Sequence, residues 1–314
     1  MGQYRIVVIG GNNVDITATA NTTLVYGDSN PGSIRTGLGG VGRNIAENLT
    51  RLGQHVSLLT VLGDDEFGAM ATAQAASIGM DMSQTIRVTG APSSIYVCIN
   101  EPGGEMSVAV NDMALCSRIT PEYLQQNLTL LQEADAIVLD ANIPEESIDY
   151  VVQHVTVPVF ADAVAAKKAA RLHKSLPHLT GLKANQIEME LLTGLTIANE
   201  HDMRAAAHLL HQHGVEHVMI TLGSRGAFYS AGGQQAFAPP LPRRILNTTG
   251  CGDAFTAAMT LAVLEGRSVP DALAMGIAAA SICAQSPLAV SEQMSYALLG
   301  EYLQAVNETG GKIS

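Results

Sequence analysis

Short apolar runs of strand length alternate with longer stretches of helical spacing along most of the chain. Residues 6–9, Ile-Val-Val-Ile, carry no polar break and stop at Gly10, which predicts a strand buried on both faces. Residues 41–52 read as a helix ended by Gly53, 56–61 as a strand, and 67–77 as a helix ended by Gly79. Further strands are predicted at 136–140, 157–161, 179–182 and 217–222, with helices between them and two more at about 254–265 and 270–284. Strands and helices that alternate in this way predict an α/β fold: a mostly parallel central sheet with helices on both faces.

Two segments depart from the alternation. Residues 14–36 scatter Thr, Val, Tyr and Ile among turn residues. Residues 91–111 place two strand-like runs around the turn Glu101-Pro102-Gly103-Gly104-Glu105, the pattern of a hairpin. Neither suits a parallel core, and together they predict a small β lid at the sheet edge, with segments at about 12–37 and 91–113. With no internal repeat and no linker, residues 1–314 are expected to form a single domain, with a frayed tail from 307 to 314.

Composition narrows the class. Hydrophobic residues make up 47% of the chain but aromatics only 4%, and Trp is absent, so the core must rest on Ala, Val, Leu, Ile and Met. A formal net charge of −12 argues against nucleic acid or an anionic membrane as partner and leaves a small molecule. The cysteines at 98, 116, 251 and 283 form no C-x-x-C pair, which points to reduced thiols. The N-terminal apolar run is too short for a signal peptide or spanning helix, and Ile6 stands where myristoylation needs Ser or Thr. These features predict a soluble cytoplasmic protein.

Chemistry concentrates at Asn247-Thr248-Thr249-Gly250-Cys251-Gly252-Asp253-Ala254-Phe255. Two glycines, an acid and then an alanine-rich helical run describe a helix N-terminus, whose free N–H groups and dipole make an anion site. A carboxylate beside such a cradle can take the proton of an attacking hydroxyl, as phosphoryl transfer to an alcohol requires. The plainer alternative is a Gly-rich helix entry with an ordinary first-turn acid. No G-x-x-x-x-G-K-[ST] occurs, so a P-loop is excluded.

Gly37-Leu38-Gly39-Gly40-Val41-Gly42 contains G-x-G-x-x-G, with Asp64 and Asp65 about 20 residues on, the outline of a dinucleotide fingerprint. That fingerprint needs a strand before its first glycine, whereas turn chemistry, Asp28-Ser29-Asn30-Pro31-Gly32-Ser33, precedes it here. A glycine-lined floor under a substrate, followed by Arg43 and Asn44, is the better reading. Asn185 and Glu188, three apart at a helix start, are either a capping pair or an organiser of the water around Mg²⁺. Thr221, Gly223 and Gly226 close a strand with a glycine-rich turn, where open α/β sheets place ligands. His208, His211, His213 and His217 lack zinc-ligand spacing, and His211 and His213 suit the last turn of a helix closed by Gly214 better.

In order and spacing, Gly39-Gly40-Val41-Gly42-Arg43-Asn44, Asn185-x-x-Glu188 and Thr249-Gly250-Cys251-Gly252-Asp253 resemble the motifs of the ribokinase-like (PfkB) carbohydrate kinases over nearly the whole chain. Within that family the resemblance is greatest to the pseudouridine kinases, through Asn13-Val14-Asp15, Asp28-Ser29-Asn30-Pro31-Gly32, Ser93-Ser94-Ile95-Tyr96 and Asn111-Asp112-Met113. The resemblance implies a ribokinase-like fold and transfer of the ATP γ-phosphoryl group to a ribose 5′-hydroxyl. It implies Asp253 as base and the N–H groups of Gly250, Cys251 and Gly252 as the anion hole. Asn185 and Glu188 would organise phosphate and Mg²⁺, Glu188 through water, and Thr221, Gly223 and Gly226 would line ATP. Asp15, Gly40, Arg43, Asn44 and Asn111 would lie on the acceptor side, with Asn30 and Ser94 reaching the base.

Departures from the family pattern are few. Cys251 replaces the usual Ala. Asn247 stands where many relatives have Asp, at a loop that often holds a monovalent cation, so Asn247 and Thr249 are the candidate K⁺ ligands. Lys183-Ala184-Asn185 and Asp162-Ala163 each lack a common Pro. The alternatives are a kinase for another nucleoside or a sugar such as ribose, a non-catalytic nucleoside sensor on the same fold, and a dinucleotide-dependent oxidoreductase. An exposed lid hairpin could pair with its copy in a homodimer.

Overall fold

The computed structural model describes residues 2–241 and 243–308. Its strands are β1 (Arg5–Ile9), β2 (Asn13–Ala20), β3 (Gly32–Gly39), β4 (His55–Leu59), β5 (Val61–Gly63), β6 (Ile86–Val88), β7 (Ile95–Asn100), β8 (Met106–Asp112), β9 (Ala136–Asp140), β10 (Val159–Asp162), β11 (Gly181–Asn185), β12 (His217–Thr221), β13 (Ala227–Ala231) and β14 (Gln234–Ala238). Its helices are α1 (Val41–Arg51), α2 (Glu66–Ile78), α3 (Pro121–Gln126), α4 (Leu128–Gln132), α5 (Glu145–His154), α6 (Ala166–Ala169), α7 (Gln186–Thr193), α8 (Glu200–Gln212), α9 (Cys251–Leu264), α10 (Val269–Ala284) and α11 (Tyr296–Glu308). The tail expected to fray begins inside α11; residues 309–314 lie outside the described residues.

Eight strands form one sheet in the order β14-β13-β12-β11-β10-β9-β1-β4. From β12 to β4 every pairing is parallel. Alternation along a strand explains the two layers around it. In β1, Ile6 and Val8 face one core with α1, α9 and α10, while Val7 and Ile9 face the other with α5, α7 and α8. No described helix is long and apolar enough to cross a membrane.

After β1 the chain adds β4 on one side, whereas β9 to β12 build outward from the other. Strand order therefore reverses at β1, and the carboxyl ends of β1 and β9 open the crevice in which such sheets bind ligands.

The segments set apart in the sequence supply a second sheet, β3-β2-β7-β8. β7 and β8 are an antiparallel hairpin whose turn closes through Glu101 N–H to Glu105 O at 2.8 Å. The β2–β7 pairing inside it is parallel.

Three elements differ from the sequence reading. The strand expected at 56–61 divides into β4 and β5, which belong to different sheets. Thr60 is the pivot, because its hydroxyl leaves the strand to donate to Gly10 O at 2.7 Å. Strand β3 occupies 32–39, directly before Gly40; it begins within the turn residues 28–33 and runs past the expected lid boundary at 37, and it belongs to the small sheet, not the parallel core. Finally, β13 and β14 extend the large sheet as an antiparallel pair around Gly232-Gly233, both at positive φ as a tight two-residue hairpin demands.

Candidate active site

The parallel strands end in a row of polar side chains: Asp140 on β9, Asp162 on β10, Lys183 and Asn185 on β11, and Thr221 on β12. Asp140 is fully buried and accepts from the N–H groups of Gly11 at 2.8 Å, Gly42 at 2.7 Å and Asn142 at 2.9 Å. It thereby ties the loop after β1 to the first turn of α1. This contact bears on the G-x-G-x-x-G motif. The helix N-terminus that would receive a pyrophosphate is filled by the protein's own carboxylate. Asp65 is engaged in capping α2, accepting from Gly68 N–H at 2.9 Å and Ser93 N–H at 2.7 Å, and Asp64 accepts from Gly90 N–H at 2.8 Å. The arrangement opposes a dinucleotide site.

Helix α9 begins at Gly250, with φ 82°, and a Cβ there would lie 1.8 Å from Ala289 O. Only glycine fits both demands. The helix starts three residues earlier than the periodicity predicted, so Cys251, Gly252 and Asp253 form its first turn. Cys251 N–H is bonded to Thr248 O at 3.3 Å. The N–H groups of Gly252 and Asp253 have no earlier helical carbonyl to reach and are the candidate donors to an anion. Asp253 is 8% exposed, and its Oδ2 accepts from Asn44 Nδ2 at 2.7 Å.

Beneath this turn lies Lys183, which the sequence marks only by the Pro missing beside it. Its Nζ sits 3.2 Å from Asp162 Oδ2 and 3.0 Å from where a Cβ on Gly252 would lie. A buried ammonium therefore adds its charge to the N-terminal end of α9. Asp162 also accepts from Thr256 Oγ1 at 2.8 Å and from Val164 N–H at 2.9 Å. Val164 has φ 64° and is the sole non-glycine at positive φ among the described residues. Such backbone is costly for a β-branched residue and clusters at functional sites.

The electrostatics follow from this crowding. Burial, then the charge of Asp162, push the Asp253 carboxyl up to about 7, with Asp140 adding to the shift; Asn44 and Lys183 pull the other way. Burial works against the Lys183 charge, but Asp162, Glu188 and Asp253 together outweigh it and hold its pKa above the ordinary lysine value.

Asn185 and Glu188 form a capping box at the start of α7. Asn185 N–H and Nδ2 donate to the two Glu188 carboxylate oxygens, each at 2.7 Å, and Glu188 N–H donates back to Asn185 Oδ1 at 3.0 Å. Thr221 is the register partner of Asn185 on the next strand, which puts the two sides of the candidate nucleotide site next to each other. Beyond it Gly223 and Gly226 shape a single tight turn, closed by Leu222 N–H to Gly226 O at 2.8 Å.

The small sheet aligns its polar candidates by register. Asp15 pairs with Gly37 and Tyr96, and Tyr96 with Asn111, so Asp15, Tyr96 and Asn111 form one row on one face. Tyr96 enters the sequence reading only within a motif. Asp15 accepts from Asn13 Nδ2 at 2.6 Å, and burial raises its carboxyl pKa. Gly40 caps α1, and its backbone packs against Gly11 and Asn12.

Other expected residues stand elsewhere. Arg43 is engaged within the protein, donating to Leu38 O and Asn44 Oδ1 and pairing with Glu47, with the charge of Asp15 also near it. Asn30 is consumed by its own loop: its Oδ1 accepts from Val25 N–H at 2.8 Å, and its Nδ2 donates to the carbonyls of Val25 and Asp28 at 3.0 Å. Ser94 is buried with its hydroxyl unpartnered. Asn247 Oδ1 accepts from Thr249 N–H at 3.0 Å, beside the α9 entry.

Residues 3–294 match the family described as pfkB family carbohydrate kinase. The chain is 36% identical over 263 residues to the pseudouridine kinase of Escherichia coli K12, covering 83% of this chain and 84% of that one. It is 28% identical over 283 residues to the ribokinase of Bacillus subtilis 168, covering 88% and 92%. A solved carbohydrate kinase from Agrobacterium tumefaciens superposes with a TM-score of 0.83 at 29% identity, covering 97% and 98%. With the family match running nearly from end to end, this chain belongs to the pfkB carbohydrate kinases and is an ATP-dependent kinase.

Proposed function

We propose that the enzyme transfers the γ-phosphoryl group of ATP to the 5′-hydroxyl of pseudouridine. The observation that carries the chemistry is Asp253, a buried carboxyl with a pKa of about 7 in the first turn of α9. A base poised near neutral pH is matched to taking a hydroxyl proton. As the 5′-oxygen bonds to the γ-phosphorus and the bond to the β-phosphate oxygen breaks, Asp253 accepts the proton. Lys183 and the N–H groups of Gly252 and Asp253 meet the charge on the transferring group. Asp15 and Asn111 hold the ribose hydroxyls, Asn44 is committed to Arg43 and Asp253, and Thr221, Gly223 and Gly226 line the nucleotide.

No group of three or more His, Cys, Asp or Glu among the described residues makes a metal cage, and both Glu188 carboxylate oxygens already accept from Asn185. That set would suit Mg²⁺, a cation that keeps much of its water, and Asn185 and Glu188 would order its hydration shell. Bound there, Mg²⁺ offsets phosphate charge. Asn247 and Thr249 are the candidates for K⁺.

The substrate assignment rests on the 36% identity to a pseudouridine kinase. Saturation of Asn30 within its own loop favours a second reading, a kinase of ribose or another nucleoside, because it leaves one fewer group to read the base. The opposite face of the small sheet carries the exposed side chains Ile34, Ile99, Val108 and Val110, and a second copy of the chain is its proposed partner. Four free cysteines accord with a cytoplasmic setting.

ATP consumption measured with pseudouridine, uridine, inosine, ribose and fructose 6-phosphate tests the assignment. Pseudouridine should give the highest kcat/KM by at least tenfold, the discrimination that about 1.4 kcal/mol provides. Higher turnover of ribose than of pseudouridine would discard it.

A further inference from the structure

We propose that Arg43 is a positioning residue for phosphoryl transfer, fixing the amide of Asn44 and through it the carboxylate of Asp253. The inference rests on Asp253 as base.

A primary amide has one donor end and one acceptor end. In this site both ends are specified. Arg43 Nη1 donates to Asn44 Oδ1 at 3.0 Å, and Asn44 Nδ2 donates to Asp253 Oδ2 at 2.7 Å. A guanidinium has no acceptor, so only the oxygen of Asn44 can face it. An ionised carboxylate has no donor, so only the amide nitrogen can face Asp253.

The difference arises once Asp253 has taken the proton. A protonated carboxyl can donate, and an unrestrained Asn44 would turn its oxygen toward Asp253 and stabilise the protonated form. Arg43 prevents that turn. The amide stays a donor through the reaction cycle and keeps favouring the ionised base.

Arg43 is itself held firmly. Its Nη2 is paired with Glu47, which also binds Arg51 Nε at 2.7 Å, and Nη1 donates to Leu38 O at 3.2 Å. Arg43 and Glu47 side chains are 6% and 3% exposed. The network Arg51–Glu47–Arg43–Asn44 thus runs along α1 and ends on the first turn of α9. The other groups facing Asp253 are Asp162 on β10, Asp140 on β9 and Lys183 on β11, and Cys251 and Cys283 lie close by. The Asn44 amide is hydrogen-bonded to Asp253 and not to these groups.

The test is a double-mutant cycle of Arg43→Lys and Asn44→Ala, assayed for kcat, KM and the pH profile. Lysine keeps a cation for Glu47 but is too short and too singly directed to hold both Glu47 and Asn44. Arg43→Lys should lower kcat by about tenfold, the scale expected for a misplaced catalytic group. Both KM values should stay within about twofold, and the acid limb should move to higher pH. In the Asn44→Ala background the same change should cost nothing further. Additive losses, or a rise in KM alone, would overturn the proposal. Failure of the Arg43→Lys chain to fold would do the same, since it would assign the guanidinium a structural role. Asp253→Asn separates the layers: retained turnover there removes the base, whereas an inactive Asp253→Asn with additive Arg43 effects removes only the positioning.

Discussion

The floor beneath α9 and the small four-stranded sheet hold most of the candidate residues, and they are built on opposite plans. In the floor, Asp140, Asp162, Lys183, Asn44 and Asp253 are buried on five elements of the chain, with Asn44 bonded to Asp253, Lys183 paired with Asp162, and Asp140 bonded to the backbone of α1. In the small sheet, the polar row is partly open and the opposite face exposes Ile34 at 72% and Val110 at 68%. The floor's side chains are bonded within the protein. The sheet leaves its apolar face exposed among the described residues and its polar row partly open. Preorganised electrostatics serve the chemical step, because they cost no rearrangement at the moment of reaction. An open, incompletely satisfied surface serves recognition, because its remaining bonds belong to whatever binds.

The comparison breaks most sharply at Asp253. Asp253→Asn should lower kcat by roughly a thousandfold, within the range a general base contributes, while ATP and nucleoside still bind. The same variant should gain stability at pH 8. The folded-state pKa of Asp253 is raised from the ordinary carboxylate value to about 7. The folded state therefore holds a proton that the unfolded chain gives up, and stability falls as pH rises between those values. Above pH 7 the wild type carries the whole penalty, and asparagine does not. Thermal unfolding at pH 5 and pH 8 should show the gain growing with pH. Near-normal turnover, or no gain at pH 8, would mean the floor is not organised around this charge.

A smaller effect sharpens the same side. Asp162 is, after burial, the largest cause of the raised Asp253 pKa. Asp162→Asn removes the negative charge and keeps one acceptor, for Val164 N–H, while its NH2 faces Thr256 Oγ1, whose hydroxyl can still donate to Gly252 O at 3.0 Å. The pKa of Asp253 must then fall, and Lys183, without its ion-pair partner, lowers it further. The acid limb of kcat/KM should move down by roughly one pH unit, the size of a single neighbouring charge. Plateau kcat should fall as well, because Lys183 is less firmly held. An unmoved limb would show that Asp162 acts only on structure.

How far each region could be read from sequence follows the same division. The Gly250 to Asp253 stretch was legible because its whole device lies in one contiguous turn. Asp140 and Lys183 were not, since their meaning depends on strands that meet only after folding: Asp140 touches Gly11 from 129 residues away. A signal did exist, in apolar strands that end on a carboxylate, Ile-Val-Leu-Asp and Val-Phe-Ala-Asp. Strand β3, with three glycines and little apolar content, carried almost none; the pairing edge of β2 makes it a strand. The β13–β14 hairpin has its sequence signal in Gly232-Gly233, a two-residue turn. Asn30 shows the reverse failure. Motif position suggested a base-reading side chain, but Asn readily bonds its own loop, and here it does.

The smallest expected effect lies in that loop. If Asn30 serves only to order residues 24–31, Asn30→Ala should raise KM for pseudouridine and for ribose alike by no more than a few fold. The lost local bonds are worth about 1 kcal/mol each at most, and the loop is exposed. If substrate draws the loop inward and releases the amide, the loss should fall on pseudouridine alone. Equal losses would confine recognition to the row of Asp15, Tyr96 and Asn111. On the proposed function that row would meet the ribose in every acceptor and would have little to distinguish one base from another. A selective loss would instead make the small sheet a moving part, one whose resting bonds are exchanged for the ligand's, whereas the floor keeps its own bonds throughout.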